Sequence, residues 1–396
     1  MTERLPPQPW MEDPAARAVI AALEAEGGRG CARFVGGCVR NALIGAPVDD
    51  VDVATQVTPG RVVAALEQAG LKAAPTGIEH GTITAVADHR PFEVTTLRRD
   101  VETDGRRAVV AFTDDWAEDA ARRDFRLNAL YADADGTLHD PTGRGVADAR
   151  AGRIVFVGDP DTRIREDYLR ILRFFRFQAW YGRGEPDAEG LAACARLREG
   201  LARLSGERLG KELLKLLAAR DPRNALAAMR ATGVLQQILP ATADAARLDA
   251  LVPLSADPVL RLSALLPDEE GEVRAAAARL RLSNAQRDRL LAALPGDPMV
   301  SVDMSPQEAR RAVYRLGGPA FEDRLLRDAA ERGGNPGPLM AALRGWSPPR
   351  LPVDGAALQQ AGVAPGPALG ATLRRLEEAW LASDFQLDRT ALLRRL

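Results

Sequence analysis

With 396 residues the chain is long enough for two or three domains, and 46% apolar with 27% charged residues is the make-up of a globular protein rather than a disordered or fibrous one. A net charge of −2 excludes a uniformly basic nucleic-acid coat and leaves room only for local patches. Three cysteines, Cys31, Cys38 and Cys194, are odd in number and unpaired in spacing, which argues against a disulfide framework and for a reducing cytoplasmic setting. No window approaches a membrane span, and the early prolines Pro6, Pro7 and Pro9 interrupt what a signal peptide would need as its apolar core.

In chain order, Asp13-Pro14 opens a helix that Gly27-Gly28 ends. Arg33 to Val35 is a short strand running into Gly36-Gly37, a pair that can turn backbone N–H groups toward an anion, and Arg40 follows on a short helix. After the turn at Gly45 to Pro47 comes a β-branched run in which Asp50 and Asp52 share one face while Val51 and Val53 face inward. Two such carboxylates can share a divalent metal ion; equally, they can simply solvate a strand end. Further strands are expected at Thr82–Ala87, Phe92–Leu97, Ala108–Phe112 and Leu130–Ala134, making a mixed α/β domain. Glu93 would complete an anionic trio if its strand pairs beside Asp50 and Asp52, and is otherwise an ordinary surface residue. Oxygen ligands of this kind suit Mg²⁺, which takes its remaining ligands from water and substrate phosphates.

Arg122-Arg123-Asp124-Phe125 is a second constellation, because a guanidinium beside a carboxylate can bind a ribose hydroxyl or a phosphate, or can be a plain surface pair. Beyond Pro160 the pattern turns to Leu/Ala/Arg segments at helical spacing, so the second half should be almost wholly helical. Within it, Arg165 to Phe177 in continuous helical register puts Asp167, Arg170 and, less closely, Arg173 on one face. A carboxylate accepts from an exocyclic amino group and a guanidinium donates to an unprotonated ring nitrogen, so one Asp–Arg pair can accept C and A while rejecting G and U. The alternative is a helix stabilised by Glu166–Arg170 and similar pairs.

Together and in this order the motifs resemble the class II nucleotidyltransferases, comprising CCA-adding tRNA nucleotidyltransferases and bacterial poly(A) polymerases. The matching residues are Gly36-Gly37-x-x-Arg40, Asp50-x-Asp52, Glu93 to Arg98, Arg122-Arg123-Asp124-Phe125-x-x-Asn128-Ala129, and Glu166-Asp167-x-x-Arg170-x-x-Arg173-x-x-Arg176-Phe177, followed by Glu207-Arg208-x-x-x-Glu212. The resemblance implies an α+β protein: a polymerase-beta-like head with a small mixed sheet over residues 1–150, a helical nucleotide-selecting neck over 151–240, and a helical body and tail over 241–396 that binds tRNA. It implies that Gly36, Gly37 and Arg40 meet the triphosphate, that Asp50 and Asp52 hold Mg²⁺ with Glu93 as third carboxylate, and that Arg123 and Asp124 meet ribose or phosphates. Asp167 and Arg170 would select the base, with Arg173 and Arg176 adding nucleotide contacts, and Arg208 and Arg220 would help hold tRNA. Residues 99–115 would be the family's flexible loop, which is tied to the switch from C to A. The implied reaction is template-independent addition of C, C and A to the 3′ end of tRNA from CTP and ATP, with pyrophosphate released. Poly(A) synthesis, CC-only or A-only addition, and a non-catalytic tRNA-binding protein are the other readings. Asn41, Arg126 and Pro141-Thr-Gly-Arg depart from the family pattern, and His80, His89 and His139 all lie before the helical half, so no phosphohydrolase activity is expected.

Overall fold

A computed structural model describes residues 3–104, 107–239 and 241–396. The chain divides into two compact units, 1–240 and 241–396. The first begins with α1 (Pro9–Glu12), α2 (Pro14–Gly27), β1 (Ala32–Val35), α3 (Gly37–Ile44), β2 (Asp52–Thr55), α4 (Pro59–Gln68), β3 (Lys72–Gly77), β4 (Thr82–Ala87) and β5 (Arg90–Thr96). It continues through β6 (Arg98–Asp104), β7 (Arg107–Phe112), α5 (Trp116–Ala121), β8 (Tyr131–Ala132), β9 (Leu138–His139) and α6 (Gly145–Ala151). Seven strands form one mixed sheet in the order β3-β4-β5-β2-β1-β8-β9, while β6 and β7 pair separately.

The sheet has one dry and one open face, set by strand alternation. Val53, Ile83 and Val94 are fully buried, and α2 and α4 pack behind the sheet with Val19, Leu23, Val62 and Leu66. The opposite face carries Asp52, Glu93, Thr84 and Thr95 and is left partly open. β2 and β5 are parallel with Asp52 opposite Glu93, so the predicted pairing of these carboxylates is present. Strand alternation does not extend to Asp50, since β2 starts at Asp52 and Asp50 lies in the irregular segment before it.

Strand β3 escapes a pattern search because Lys72-Ala-Ala-Pro-Thr-Gly lacks β-branched alternation. It is an edge strand, where Pro75 costs no ladder bond, and its register shifts between Ala74 and Gly77. The expected loop at 99–115 is largely the β6–β7 pair; its Gly105 and Arg106 lie outside the described residues.

Helices α7 (Pro160–Glu166), α8 (Leu169–Tyr181), α9 (Ala188–Leu197), α10 (Gly206–Leu217), α11 (Arg223–Ala231) and α12 (Val234–Ile238) complete the unit. Phe125 from the head meets Phe156, Phe174 and Phe177 at ring-centroid distances of 4.9, 6.3 and 5.0 Å, which fuses α8 to the sheet domain through an aromatic core. The single helix expected over 165–177 is broken. Asp167 takes extended angles (φ −152°, ψ 106°) at the end of α7, and its Oδ1 accepts from the Leu169 amide at the start of α8 at 3.1 Å. The second unit is helical, from Ala245–Leu251 to Arg389–Leu393. Two of its apolar clusters are centred on Phe321 with Leu325 and on Trp380 with Leu358 and Leu376. No helix of the described residues is long and apolar enough to cross a membrane.

Candidate active site

Gly36 ends β1 and begins α3 with φ 72° and ψ −117°, a backbone open to glycine alone. Its own amide donates to the Leu130 carbonyl at 3.1 Å, while the first-turn amides of α3, as at any helix start, lack intrahelical acceptors. A Cβ placed on Gly36 would stand 3.5 Å from Nη1 of Arg123, so this guanidinium closes one side of the glycine turn.

Arg123 is held in place from behind. Nε and Nη2 donate to Asp119 Oδ2 at 3.2 and 3.0 Å, and Nε also reaches the Tyr131 hydroxyl at 3.2 Å, leaving Nη1 toward Gly36. Asp119 is 1% exposed and also takes Arg122 at 2.7 Å and the Tyr131 hydroxyl at 2.7 Å. Burial alone would raise its pKa, but the charges of Arg123 and Arg122 with the Tyr131 hydrogen bond bring it down to about 2. Sequence reasoning passed over Asp119; the i,i+3 and i,i+4 spacing to Arg122 and Arg123 was the available signal.

Beside this turn the carboxylates crowd one another. The pKa of Asp52 is pushed up to about 6, first by burial and then by the charges of Glu93 and Asp50, with Arg123 opposing. Among the described residues no three His, Cys, Asp or Glu side chains come close enough to enclose an ion. A Mg²⁺ ion does not need such a cage, because it binds one or two carboxylates and completes its shell with water and phosphate oxygens. Asp50 and Asp52, with Glu93 across the strand, fit that donor chemistry, and a cation there would relieve the crowding that raises Asp52.

The neck side is different, since its charged groups already have partners. Asp124 is 8% exposed; Oδ1 accepts from the Phe125 amide at 2.9 Å and Asn128 Nδ2 at 3.0 Å, and Oδ2 from Arg173 Nε at 2.8 Å. Burial would raise it, but Arg173 and Asn128 hold it at about 2. Asp167 accepts from Arg208 Nη2 of α10 at 2.7 Å. Arg170 pairs with Glu166 and donates to the Arg163 carbonyl at 2.8 Å and the Arg122 carbonyl at 3.2 Å. Arg163, missed in the sequence, joins it by donating to the Arg123 carbonyl at 3.3 Å and to Glu166 at 2.7 Å. Arg176 donates to Glu212 at 2.6 Å.

Arg40, expected at the triphosphate, is engaged by protein groups. It is 6% exposed, donates Nη2 to the Tyr181 hydroxyl at 2.8 Å and Nε to Asn41 at 3.1 Å, bonds Asn128 through Nη1, and lies 3.9 Å over the Tyr181 ring. Burial lowers its pKa. Its side chain therefore ties α3 to the end of α8, and Asn41, the departure from the family pattern, is what receives it. Arg126 lies 3.6 Å from the buried Asp148. Arg208 is engaged with Asp167 rather than displayed as a lone cation for RNA.

Residues 32–155 match the family described as poly A polymerase head domain, and residues 185–246 the family described as probable RNA and SrmB-binding site of polymerase A. The mitochondrial CCA tRNA nucleotidyltransferase 1 of Mus musculus is 35% identical over 388 residues, covering 91% of this chain and 85% of the relative. The CCA-adding enzyme of Levilactobacillus brevis is 33% identical over 392 residues, covering 95% and 96%. The crystal structure of the Bacillus stearothermophilus CCA-adding enzyme in complex with CTP superposes with a TM-score of 0.77 at 26% identity, covering 98% of both chains.

Proposed function

The chain belongs to the CCA-adding tRNA nucleotidyltransferase family, and from that premise we propose that it adds C, C and A in turn to the 3′ end of tRNA, using CTP and ATP. In each cycle the terminal hydroxyl of the RNA attacks the α-phosphorus; a P–O bond forms, the α–β phosphoanhydride bond breaks and pyrophosphate leaves. The observation that carries this reading is the proximity of three groups: the glycine turn at Gly36-Gly37, the Arg123 Nη1 directed at it, and Asp52, which lies opposite Glu93 and feels the Arg123 charge.

The α3 amides and Arg123 receive the triphosphate, with Asp119 and Tyr131 fixing the guanidinium so that no ordering cost falls on binding. Asp50 and Asp52 hold Mg²⁺, which when bound acidifies the attacking hydroxyl and neutralises charge on the leaving pyrophosphate. Asp167 and Arg170 read the base edge. Both side chains are also tied to protein partners, Arg208 and Glu166, so reading a base means exchanging those partners for the amino group and ring nitrogen of C or A. Asp124 and Arg173 orient the segment between sheet and neck rather than offering open atoms, and Arg40 and Arg176 are positioning residues on the same grounds.

Incorporation of labelled CTP and ATP into tRNAs ending before C74, before C75 and before A76 tests the reading. Addition that stops at A76 on all three supports it; a long A tract would favour poly(A) synthesis, and addition on only one or two of them a split enzyme.

A further inference from the structure

We propose that Trp180, Tyr181 and Arg183 at the end of α8, facing the turn that leads into Asp50, form a stacking platform for the unpaired 3′ end of the RNA substrate. The nucleobase one or two residues behind the attacking hydroxyl lies on the Trp180 indole, and its phosphate meets Arg183. The proposal rests on the CCA-adding function given above and names a part of the RNA site that the reaction itself does not require.

Trp180 is 48% exposed, which is unusual for so large an apolar side chain. It is nonetheless fixed: its indole N–H donates to the Lys215 carbonyl at 2.7 Å, so one edge is clamped to α10 while the ring stays accessible. Tyr181 stands beside it at a centroid distance of 6.5 Å, held by its hydroxyl bond to Arg40. Together they line a cavity of about 400 Å³ whose other wall is the end of α3 and the turn after it, including Asn41, Pro47 and Asp49. That volume lies within the range of small-ligand sites. Asn41 Nδ2 donates to the Pro47 carbonyl at 2.6 Å, which shapes the wall. Arg183 is exposed, and among the described residues it forms no ion pair.

The position relative to the chemistry follows from the chain. Asp49 directly precedes Asp50, and α3, which runs from the glycine turn toward the cavity, has eight residues and spans about 12 Å. A cavity at that remove suits a nucleotide behind the 3′ terminus better than the incoming triphosphate. Aromatic stacking with a neighbouring cation is a sequence-tolerant way to hold single-stranded RNA, as an end that changes by one base per cycle demands.

The test uses the full chain and an acceptor-stem RNA with a 3′ tail ending in CC, compared with the same stem lacking the tail. Trp180→Ala should weaken binding of the tailed RNA and raise its KM about tenfold or more, leaving the KM for ATP and the affinity for the blunt stem unchanged. Trp180→Phe should restore most of the loss, because it keeps a stacking face without the indole N–H. Arg183→Ala should weaken tailed-RNA binding and lower its salt dependence. Equal tailed-RNA binding by wild type and Trp180→Ala, or a Phe variant as weak as Ala, would overturn the platform. The second result would assign the tryptophan to holding α8 against α10. A wild-type protein that transfers neither nucleotide to these RNAs would overturn the CCA-adding reading and the platform with it.

Discussion

The two ends of the nucleotide pocket are built on opposite principles. At the sheet end the functional atoms are left open: the α3 amides have no internal acceptors, Arg123 is braced from behind with Nη1 free toward Gly36, and Asp52 is crowded by Glu93 and Asp50. At the neck end Asp167 and Arg170 are partnered within the protein, by Arg208 and Glu166. On the proposed roles, the difference makes the phosphate and metal end pre-set, because phosphates are common to every substrate, and has the base-reading end work by exchange of partners. An exchange costs little for a base that supplies the lost hydrogen bonds, and leaves half-buried charges unpaired for one that does not.

The largest effect should come from the pre-set end. Asp52→Asn should lower nucleotide incorporation by about 10³-fold or more, since loss of a metal-holding carboxylate removes several kcal/mol of transition-state stabilisation. Its melting temperature should hold or rise as the crowding of carboxylates is relieved. A loss of only a few-fold in a magnesium assay would remove this residue from the metal site. Asp119→Asn comes next, because it strips the brace from Arg123 and leaves a half-buried guanidinium short of a partner. A destabilisation of about 3–5 kcal/mol is expected, with a raised KM for both CTP and ATP in steady-state incorporation. An unchanged KM would show that the brace serves folding alone.

The neck end should fail in selectivity rather than in turnover. Asp167→Ala should erode discrimination of CTP over UTP by about 10- to 100-fold, the worth of a hydrogen bond to a charged group, while incorporation of CTP survives. Equal rejection of UTP by the variant would end the base-reading role. Arg208→Ala, which removes only the resting partner of Asp167, should change discrimination less than Asp167→Ala does; a larger change would mean that Arg208 itself touches the nucleotide.

The smallest effect at neutral pH, and one shared by both ends, is electrostatic. Asp119 and Asp124 are held near pKa 2, below the ordinary carboxylate value of 3.8. The stability they contribute is therefore fully present above about pH 4 and is lost as pH falls through about 2. Thermal melts across that window should show a steep acid limb. Asp124→Asn, less stable throughout, should flatten it, and an unaltered limb would show that Asp124 is not held low by Arg173.

Much of this pocket was legible in the sequence because its pieces are local. A glycine pair after a strand, two carboxylates two residues apart and an Arg-Arg-Asp run each declare their chemistry within a few residues, and their order along the chain carried the family resemblance. Pairing of the Glu93 strand beside Asp50 and Asp52 stood only as a condition in the sequence, and the register that puts Asp52 opposite Glu93 is set by the sheet. Helical periodicity misled at Asp167, where a carboxylate accepting from the Leu169 amide outweighs the helix that the spacing suggests. What only the tertiary structure decided is which charge meets which. Arg40 meets Asn128 and Tyr181, the latter 141 residues away, Asp119 emerges as the brace of Arg123, and Glu212 takes Arg176. Ion pairing depends on through-space proximity and on the energy of burying an unmatched charge, and neither is written in the spacing of residues along a chain.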